Sequence, residues 1–348
     1  MIEGLAGVNG LPEGGFACYM KVHHAAVDGV SGMEMVAALH DLEPEAEPPP
    51  PTSAWKPNDD PSPAWLLHQA MVHAIGRPMH GVRTARRVLP ALSRLPLGAS
   101  RSGVTLPSLR VPKTRFNGAV SAHRVIEARS YPLDDVKRMR KAVDGATIND
   151  AVLAIVGGAL RRYLVRHGEL PGSALTALVP ISVRPEELVG SAGNQISLMS
   201  VTLGTDVADP LERLATVSAA SKRSKGFASA VGARTLSDVS QLFPGKFLGL
   251  GMRAVTRAVA AGAQNLLFNT TVTNVPGPQD PLYFCGARAV EPYGAGPFAH
   301  GAGLIHLLGS YCGRMTFNVT ACREMMPDPA FYGDCIDDAF EELFGAAS

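Results

Sequence analysis

Acidic side chains are missing from Ser62 to Arg115, where Arg77, Arg83, Arg86, Arg87, Arg94, Arg101, Arg110, Lys113 and Arg115 all stand. The imbalance is local, because 32 Lys and Arg against 31 Asp and Glu leave a net charge of +1. That balance gives no global drive toward nucleic acid. Cysteine is scarce and odd in number, five in 348 residues. It supports neither a disulfide framework nor a metal-ligand spacing. Cys285, Cys312, Cys322 and Cys335 are therefore expected to be small buried groups in a reducing compartment. No Gly-x-Ser-x-Gly turn occurs, so nothing points to a serine nucleophile or an acyl-enzyme. No apolar stretch is clean enough for a membrane span. Gly7, Gly10, Pro12, Gly14 and Gly15 break any apolar run of a secretory signal. These absences predict a cytoplasmic protein that meets lipid only at a surface.

What is present fits an α/β enzyme. The composition, 46% hydrophobic and 18% charged, is ordinary for a globular chain and leans apolar. The length supports one large or two medium domains. Residues 1–42 read as strand, turn and helix. The Pro-rich stretch from Glu43 to Pro63, with Pro48-Pro49-Pro50-Pro51, reads as an extended connector. The front of residues 64–115 has helical spacing with Trp65 and Leu66 as anchors. One reading is a surface helix on an anionic membrane or lipid droplet. The other is a crossover helix with its arginines in water.

From Asn117 onward helices and strands alternate. Strands are expected at Val120–Ile126, Leu175–Val183, Ile196–Leu203, Leu266–Val272, Leu282–Glu291, Gly303–Ser310 and Arg314–Ala321. Helices are expected at Leu133–Val143, Asn149–His167, Pro210–Gly226, Ala230–Leu242 and Phe247–Ala263. A last helix runs from Asp328 or Pro329 to Phe344. The order suits two mixed sheets flanked by helices. The domain division it suggests is 1–42, 43–115 and 116–348.

The chemistry centres on Lys21-Val22-His23-His24-Ala25-Ala26-Val27-Asp28-Gly29. An apolar run, Phe16 to Met20, precedes it and reads as a short buried strand. A helical run with Ser31 near its cap follows. A neutral imidazole at such a turn can take a proton near pH 7 and return it later in the same reaction. Asp28 can fix the backbone or pair with an arginine, and Gly29 lets the chain turn. His300 and His306 belong to no motif and are read as structural.

The pattern His-His-x-x-x-Asp-Gly resembles that of CoA-dependent acyltransferases and peptide-synthetase condensation domains. Further stretches narrow the likeness. They are Ile2-Glu3-Gly4-Leu5, Thr147-Ile148-Asn149-Asp150-Ala151-Val152-Leu153-Ala154, Pro180-Ile181-Ser182-Val183-Arg184, Gly193-Asn194, Asn274-Val275-Pro276-Gly277-Pro278 and Ser310-Tyr311-Cys312-Gly313. In this order they resemble the bacterial wax ester synthase / acyl-CoA:diacylglycerol acyltransferase family over nearly the whole chain.

That resemblance implies the two-domain, chloramphenicol-acetyltransferase-like α/β architecture, with the His-His motif in a tunnel between the domains. The motif lies closer to Met1 than in the family, so the first domain is expected to be incomplete. The implied chemistry is O-acyl transfer from acyl-CoA to diacylglycerol or a long-chain alcohol. No cofactor is implied beyond acyl-CoA as co-substrate. His24 is the implied general base, His23 a structural neighbour, Asp28 an arginine partner with Arg184 as candidate, and Gly29 a backbone requirement. Asn149 and Asp150 match the second motif, and both residue types also cap helices well. Asn274, Pro276 and Gly277 match the third and suit a turn lining the tunnel. Lys222, Arg223 and Lys225 are a basic cluster that could meet CoA phosphates or simply face water.

Three alternatives stay open on the residues. His23 and Asp28 have the spacing of the glycerophosphate-type acyltransferase pair. His24 and Asp28 could share a metal, although no third ligand cluster is evident and no metal is expected. The chain could also be an inactive or partner-dependent fragment that binds a lipid surface. Nothing in the residues sets an oligomeric state.

Overall fold

Alternating apolar positions in the second half of the chain build one mixed sheet. The computed structural model describes residues 1–5, 7–8, 10–23, 29–46, 59–72, 111–182, 196–231, 245–262 and 267–348. Its six strands are β1 (Arg124–Pro132), β2 (Thr176–Ser182), β3 (Ile196–Thr202), β4 (Thr270–Pro276), β7 (Leu304–Tyr311) and β8 (Arg314–Cys322). Their order across the sheet is β1-β8-β7-β4-β2-β3. The central strands β2, β4 and β7 are parallel, and β1, β8 and β3 pair antiparallel with their neighbours. A two-stranded hairpin, β5 (Tyr283–Phe284) and β6 (Ala287–Arg288), stands apart.

Helices cover one face. They are α2 (Leu133–Met139), α3 (Ile148–Arg166), α4 (Pro210–Val231) and α6 (Pro329–Ala346). Two others, α1 (Gly29–Ala38) and α5 (Gly245–Ala260), lie outside this layer's main contacts. Helix α3 packs against both α4 and α6. It is apolar nearly all round, and every residue from Asp150 to Leu160 is buried. A helix with no polar face is stable only in such a position. Val179, Val201, Val272, Leu308 and Phe317 meet it from the sheet in a single core.

The opposite face alternates with this one. Thr271, Thr273 and Val275 of β4 and Ile305 and Leu307 of β7 point there. A strap at residues 294–299 crosses part of it. The Gly296 N–H donates to Thr320 Oγ1 at 3.3 Å, and a Cβ on Gly296 would lie 2.9 Å from Ile305 and Leu307 side-chain carbons.

Several elements depart from the sequence expectations for local reasons. The strand expected from Val120 starts at Arg124, because Val120 and Ser121 donate their N–H groups to His300 Nδ1 and Cys322 Sγ. The strand expected from Leu266 starts at Thr270. Asn269, fully buried, is taken up by bonds to Pro112, Asn117 and Thr176. The strand expected at Leu282–Glu291 is folded into the β5–β6 hairpin. Its turn residue Cys285 has φ 50°, and Cys312 at the β7–β8 turn has φ 45°. Cys285 is therefore exposed and Cys312 only half-buried, whereas Cys322 and Cys335 are buried as expected. Phe16 to Met20 is not a buried strand. It forms one bridge, Ile2 to Ala17, and leaves Tyr19 72% exposed, since an apolar run is buried only where a second layer covers it. Ser31 lies inside α1, which begins at Gly29. The helix expected at Ala230–Leu242 falls largely outside the described residues. Among the described residues no helix is long and apolar enough to cross a membrane.

His306 shows how the layers are joined. It sits on β7, fully enclosed, with Nδ1 3.2 Å from Thr270 Oγ1 and Nε2 2.7 Å from the Tyr332 hydroxyl. Thr270 Oγ1 donates to the Leu304 carbonyl, so one consistent assignment has Nδ1–H donating to Thr270 and Tyr332 donating to a bare Nε2. Burial favours that neutral ring and lowers its pKa from 6.5 to about 3. The unfolded chain takes up this proton near 6.5, so the contribution to stability is whole above that pH and is lost as pH falls toward 3. Urea unfolding midpoints of the wild type are expected to drop across that window. His306→Gln is expected to start lower and to fall less steeply over the same window.

Candidate active site

Strand direction gathers the motif stretches at one edge. The parallel strands β2, β4 and β7 end together, at Ser182, Pro276 and Tyr311. Ligand-binding groups in sheets of this kind collect beyond the carboxyl ends of the parallel strands. Helix α3 runs back through residues 167–175 into β2, so its N-terminus points to the same edge. Its far end confirms this, because Tyr163 packs on Tyr332, which bonds His306 near the start of β7.

At the start of α3 the Thr147 and Asp150 side chains form a capping box. Thr147 Oγ1 accepts from the Asp150 N–H at 3.2 Å, and Asp150 Oδ2 accepts from the Thr147 N–H and hydroxyl at 2.8 Å each. The buried Asp150 thus serves the helix end with one oxygen, while Oδ1 is buried without a partner. Asn149 is half-buried and takes no part in the capping box. The two residues of one motif are divided between supporting the helix and standing beside it. The first N–H groups of this helix make its end attractive to negative charge.

The third motif is bound to the β7–β8 turn. Pro276 is level with Ser310, and the Gly277 N–H donates to Ser310 Oγ at 3.3 Å. Cys312 N–H donates to the Pro278 carbonyl at 3.3 Å. Gln279 spans both pieces. Its Nε2 donates to the Gly277 carbonyl at 3.0 Å, and its Oε1 accepts from the Gly313 N–H at 3.0 Å. Sequence reasoning missed Gln279. Its partner Gly313 lies 34 residues further on, and nothing local to a glutamine signals such a tie.

The segment behind the His-His motif is tied to this edge as well. Asp41 and Tyr283 exchange backbone hydrogen bonds at 2.8 Å, and the His40 ring packs on Phe284. The Tyr311 hydroxyl, at the end of β7, accepts from the Leu282 N–H and donates to the Ala289 carbonyl. His23 is exposed, and Gly29 opens α1. His24, Asp28 and Arg184 lie outside the described residues. The basic cluster at Lys222, Arg223 and Lys225 sits on α4, where Lys222 reaches the Asp144 carbonyl at 3.4 Å.

Comparison with known proteins gives this edge a context. Residues 5–152 match the wax ester synthase/diacylglycerol acyltransferase catalytic domain, and residues 192–344 match the WS/DGAT C-terminal domain. A Mycobacterium tuberculosis protein named as a diacylglycerol O-acyltransferase is 35% identical over 350 residues, covering 100% of this chain and 73% of that protein. The chain belongs to the wax ester synthase/diacylglycerol acyltransferase family. A second protein of that name from the same species is 33% identical over 331 residues, or 94% of this chain. The chain spans 64% of that relative's length, just under two thirds. The solved wax ester synthase/diacylglycerol acyltransferase from Marinobacter aquaeolei VT8 superposes with a TM-score of 0.63 at 22% identity. It covers 94% of this chain and 67% of the Marinobacter chain, and it shows the shared α/β acyltransferase fold. Within the family frame, the motif stretches at Asn149, Asn274 and Ser310 share one sheet edge.

Removing the box at this edge has a defined cost. Thr147→Val is expected to destabilise the protein by about 1 kcal/mol, the usual worth of an N-cap hydroxyl. Chemical denaturation checks this, with Thr147→Ser restoring most of the loss.

Proposed function

We propose that this chain is an O-acyltransferase that moves a fatty acyl group from acyl-CoA to the hydroxyl of diacylglycerol or of a long-chain alcohol. The observation that carries the reading is that the start of α3, with Asn149 and Asp150, and the end of β4, with Asn274 and Pro276, point to the same sheet edge. His24 takes the proton from the acceptor hydroxyl as its oxygen attacks the thioester carbonyl. The tetrahedral oxyanion is met by N–H donors, for which the start of α3 and the Asn149 carboxamide are the candidates. Collapse expels the CoA thiolate, which receives the proton from His24. The acyl group passes directly, with acyl-CoA as co-substrate and no other cofactor. His23 and Asp28 support the turn, and Arg184 is the candidate partner of Asp28.

Two single substitutions test the assignment. His24→Ala is expected to abolish turnover of acyl-CoA with diacylglycerol, and His23→Ala to retain most of it. The reverse result would point to the His23–Asp28 pairing instead. The assay uses the purified chain, with release of free CoA thiol as its readout.

A second reading concerns where the reaction takes place. In the helical stretch at residues 63–72, Trp65, Leu66, Leu67, Met71 and Val72 are each at least half exposed. An acid-free, arginine-bearing sequence follows it. Apolar anchors beside cationic residues suit a peripheral contact with an anionic membrane or lipid-droplet surface. This contact would also serve the alternative of a fragment that only binds lipid. Trp65→Ala combined with Leu67→Ser is expected to weaken flotation with phosphatidylglycerol vesicles several-fold and to leave phosphatidylcholine vesicles unbound in both proteins.

A further inference from the structure

We infer that the phosphates of the CoA donor dock on a cationic shelf beside the start of α3, built by Arg140 and Lys141 on one side and by Lys222, Arg223 and Lys225 on the other. The inference rests on the acyl-transfer reading and adds a donor-binding site to it.

The shelf is organised around the loop at residues 144–146, directly before the Thr147 cap. Cations from two separate elements grip the carbonyls of this loop. Lys222 Nζ on α4 donates to the Asp144 carbonyl at 3.4 Å. Arg140 Nη1, on the short 3-10 helix Arg140–Ala142 that follows α2, donates to the Ala146 carbonyl at 3.5 Å. Gly145 stands between them at φ 67°, and a Cβ there would lie 2.8 Å from Lys222 Nζ. The Ser224 hydroxyl donates to the Ser200 carbonyl at 2.6 Å and fixes the rotation of α4. Lys222 and Lys225, three residues apart, share another face of that helix. Arg140 is half-buried, and the other four cations are exposed.

The charge of the shelf is not spent within the fold. Lys137 and Arg138 on α2 are neutralised by Asp134 and Asp135, but among the described residues no ion pair takes up any of the five shelf cations. Asp144 is the loop's one carboxylate, and Asp150 is committed to the capping box. Such a local excess of positive charge selects a polyanion, and ammonium and guanidinium groups are suited to phosphate oxygens. Diacylglycerol and long-chain alcohols carry no charge. Of the reactants only CoA, through its diphosphate and 3′-phosphate, meets the description. From Asp144 to Thr147 is three residues, at most about 11 Å of chain. The shelf therefore stands beside the motif edge and not over it. The nucleotide end rests there in contact with water, and the pantetheine arm carries the thioester to the edge.

Lys222→Gln combined with Lys225→Gln removes two of the charges, and Lys222→Arg combined with Lys225→Arg keeps them. Turnover is measured with palmitoyl-CoA and with palmitoyl-N-acetylcysteamine, a thioester without phosphates, at a fixed acceptor. The ratio of kcat/KM for the first donor over the second is expected to fall about fivefold in the Gln variant, through KM for palmitoyl-CoA, and to return in the Arg variant. A ratio equal to that of the wild type, including one in which both donors lose alike, overturns the inference. Calorimetric titration with free CoA reads the site without catalysis. The Gln variant is expected to bind it more weakly by a similar factor. Equal binding by both proteins overturns the inference, and so does a variant that releases phosphatidylglycerol vesicles while keeping its affinity for CoA. A wild type that binds CoA but turns over neither donor defeats the acyl-transfer reading and leaves the shelf standing.

Discussion

Gly157 brings α3 closer to the chain after β3 than a residue with a Cβ would permit, and Gly158 lies beside the end of the Arg213 side chain. A Cβ on Gly157 would lie 2.0 Å from the Leu203 carbonyl oxygen, and one on Gly158 would lie 2.1 Å from Arg213 Nη1. The backbone contact is far inside contact distance, so the helix is seated against the end of β3, with the α4 guanidinium beside it. Close-packed interiors move as discrete pieces rather than sliding. With its middle clamped, the helix has one depth in the core. Its first turn, carrying Asn149 and Asp150, is thereby held at the sheet edge.

The edge itself is assembled from pieces distant in sequence. Asn149, Asn274 and Ser310 come from three separate elements, and backbone groups do much of the joining. Gly277, Cys312 and Gly313 all donate N–H bonds across the turn region. Backbone donors held by a sheet keep their direction better than side chains on long stems. The same logic runs through Tyr311, whose hydroxyl closes on Leu282 and Ala289 and so carries the β5–β6 hairpin. The hairpin in turn holds Asp41, a few residues beyond α1. This arrangement fixes the position of the edge with little reliance on charge.

The two faces of the sheet divide the work. The inner face is filled by α3, α4 and α6 and provides cohesion. Among the described residues, the strap at residues 294–299 crosses part of the outer face.

Much of this was readable in the residues. Helix α3 was legible from Thr147 and the apolar run behind it, and α6 from Pro329 and the alternation of apolar and acidic positions. The strands β7 and β8 were evident from their apolar runs, whereas their antiparallel pairing came from the fold. The motif residues could be recognised as a set, since their order along the chain is itself the signal. Strand boundaries near Asn269 and Cys285 were misjudged, because a buried asparagine bonded to three segments and a cysteine at positive φ respond to partners that no local pattern contains. Gln279 and the fork of Asp150 between cap and core were likewise set by tertiary contacts. The chain on its own determined which elements form and which chemistry they carry, through periodicity and residue type. The fold alone decided which of those residues meet, because that depends on strand order and on packing between segments dozens to hundreds of residues apart.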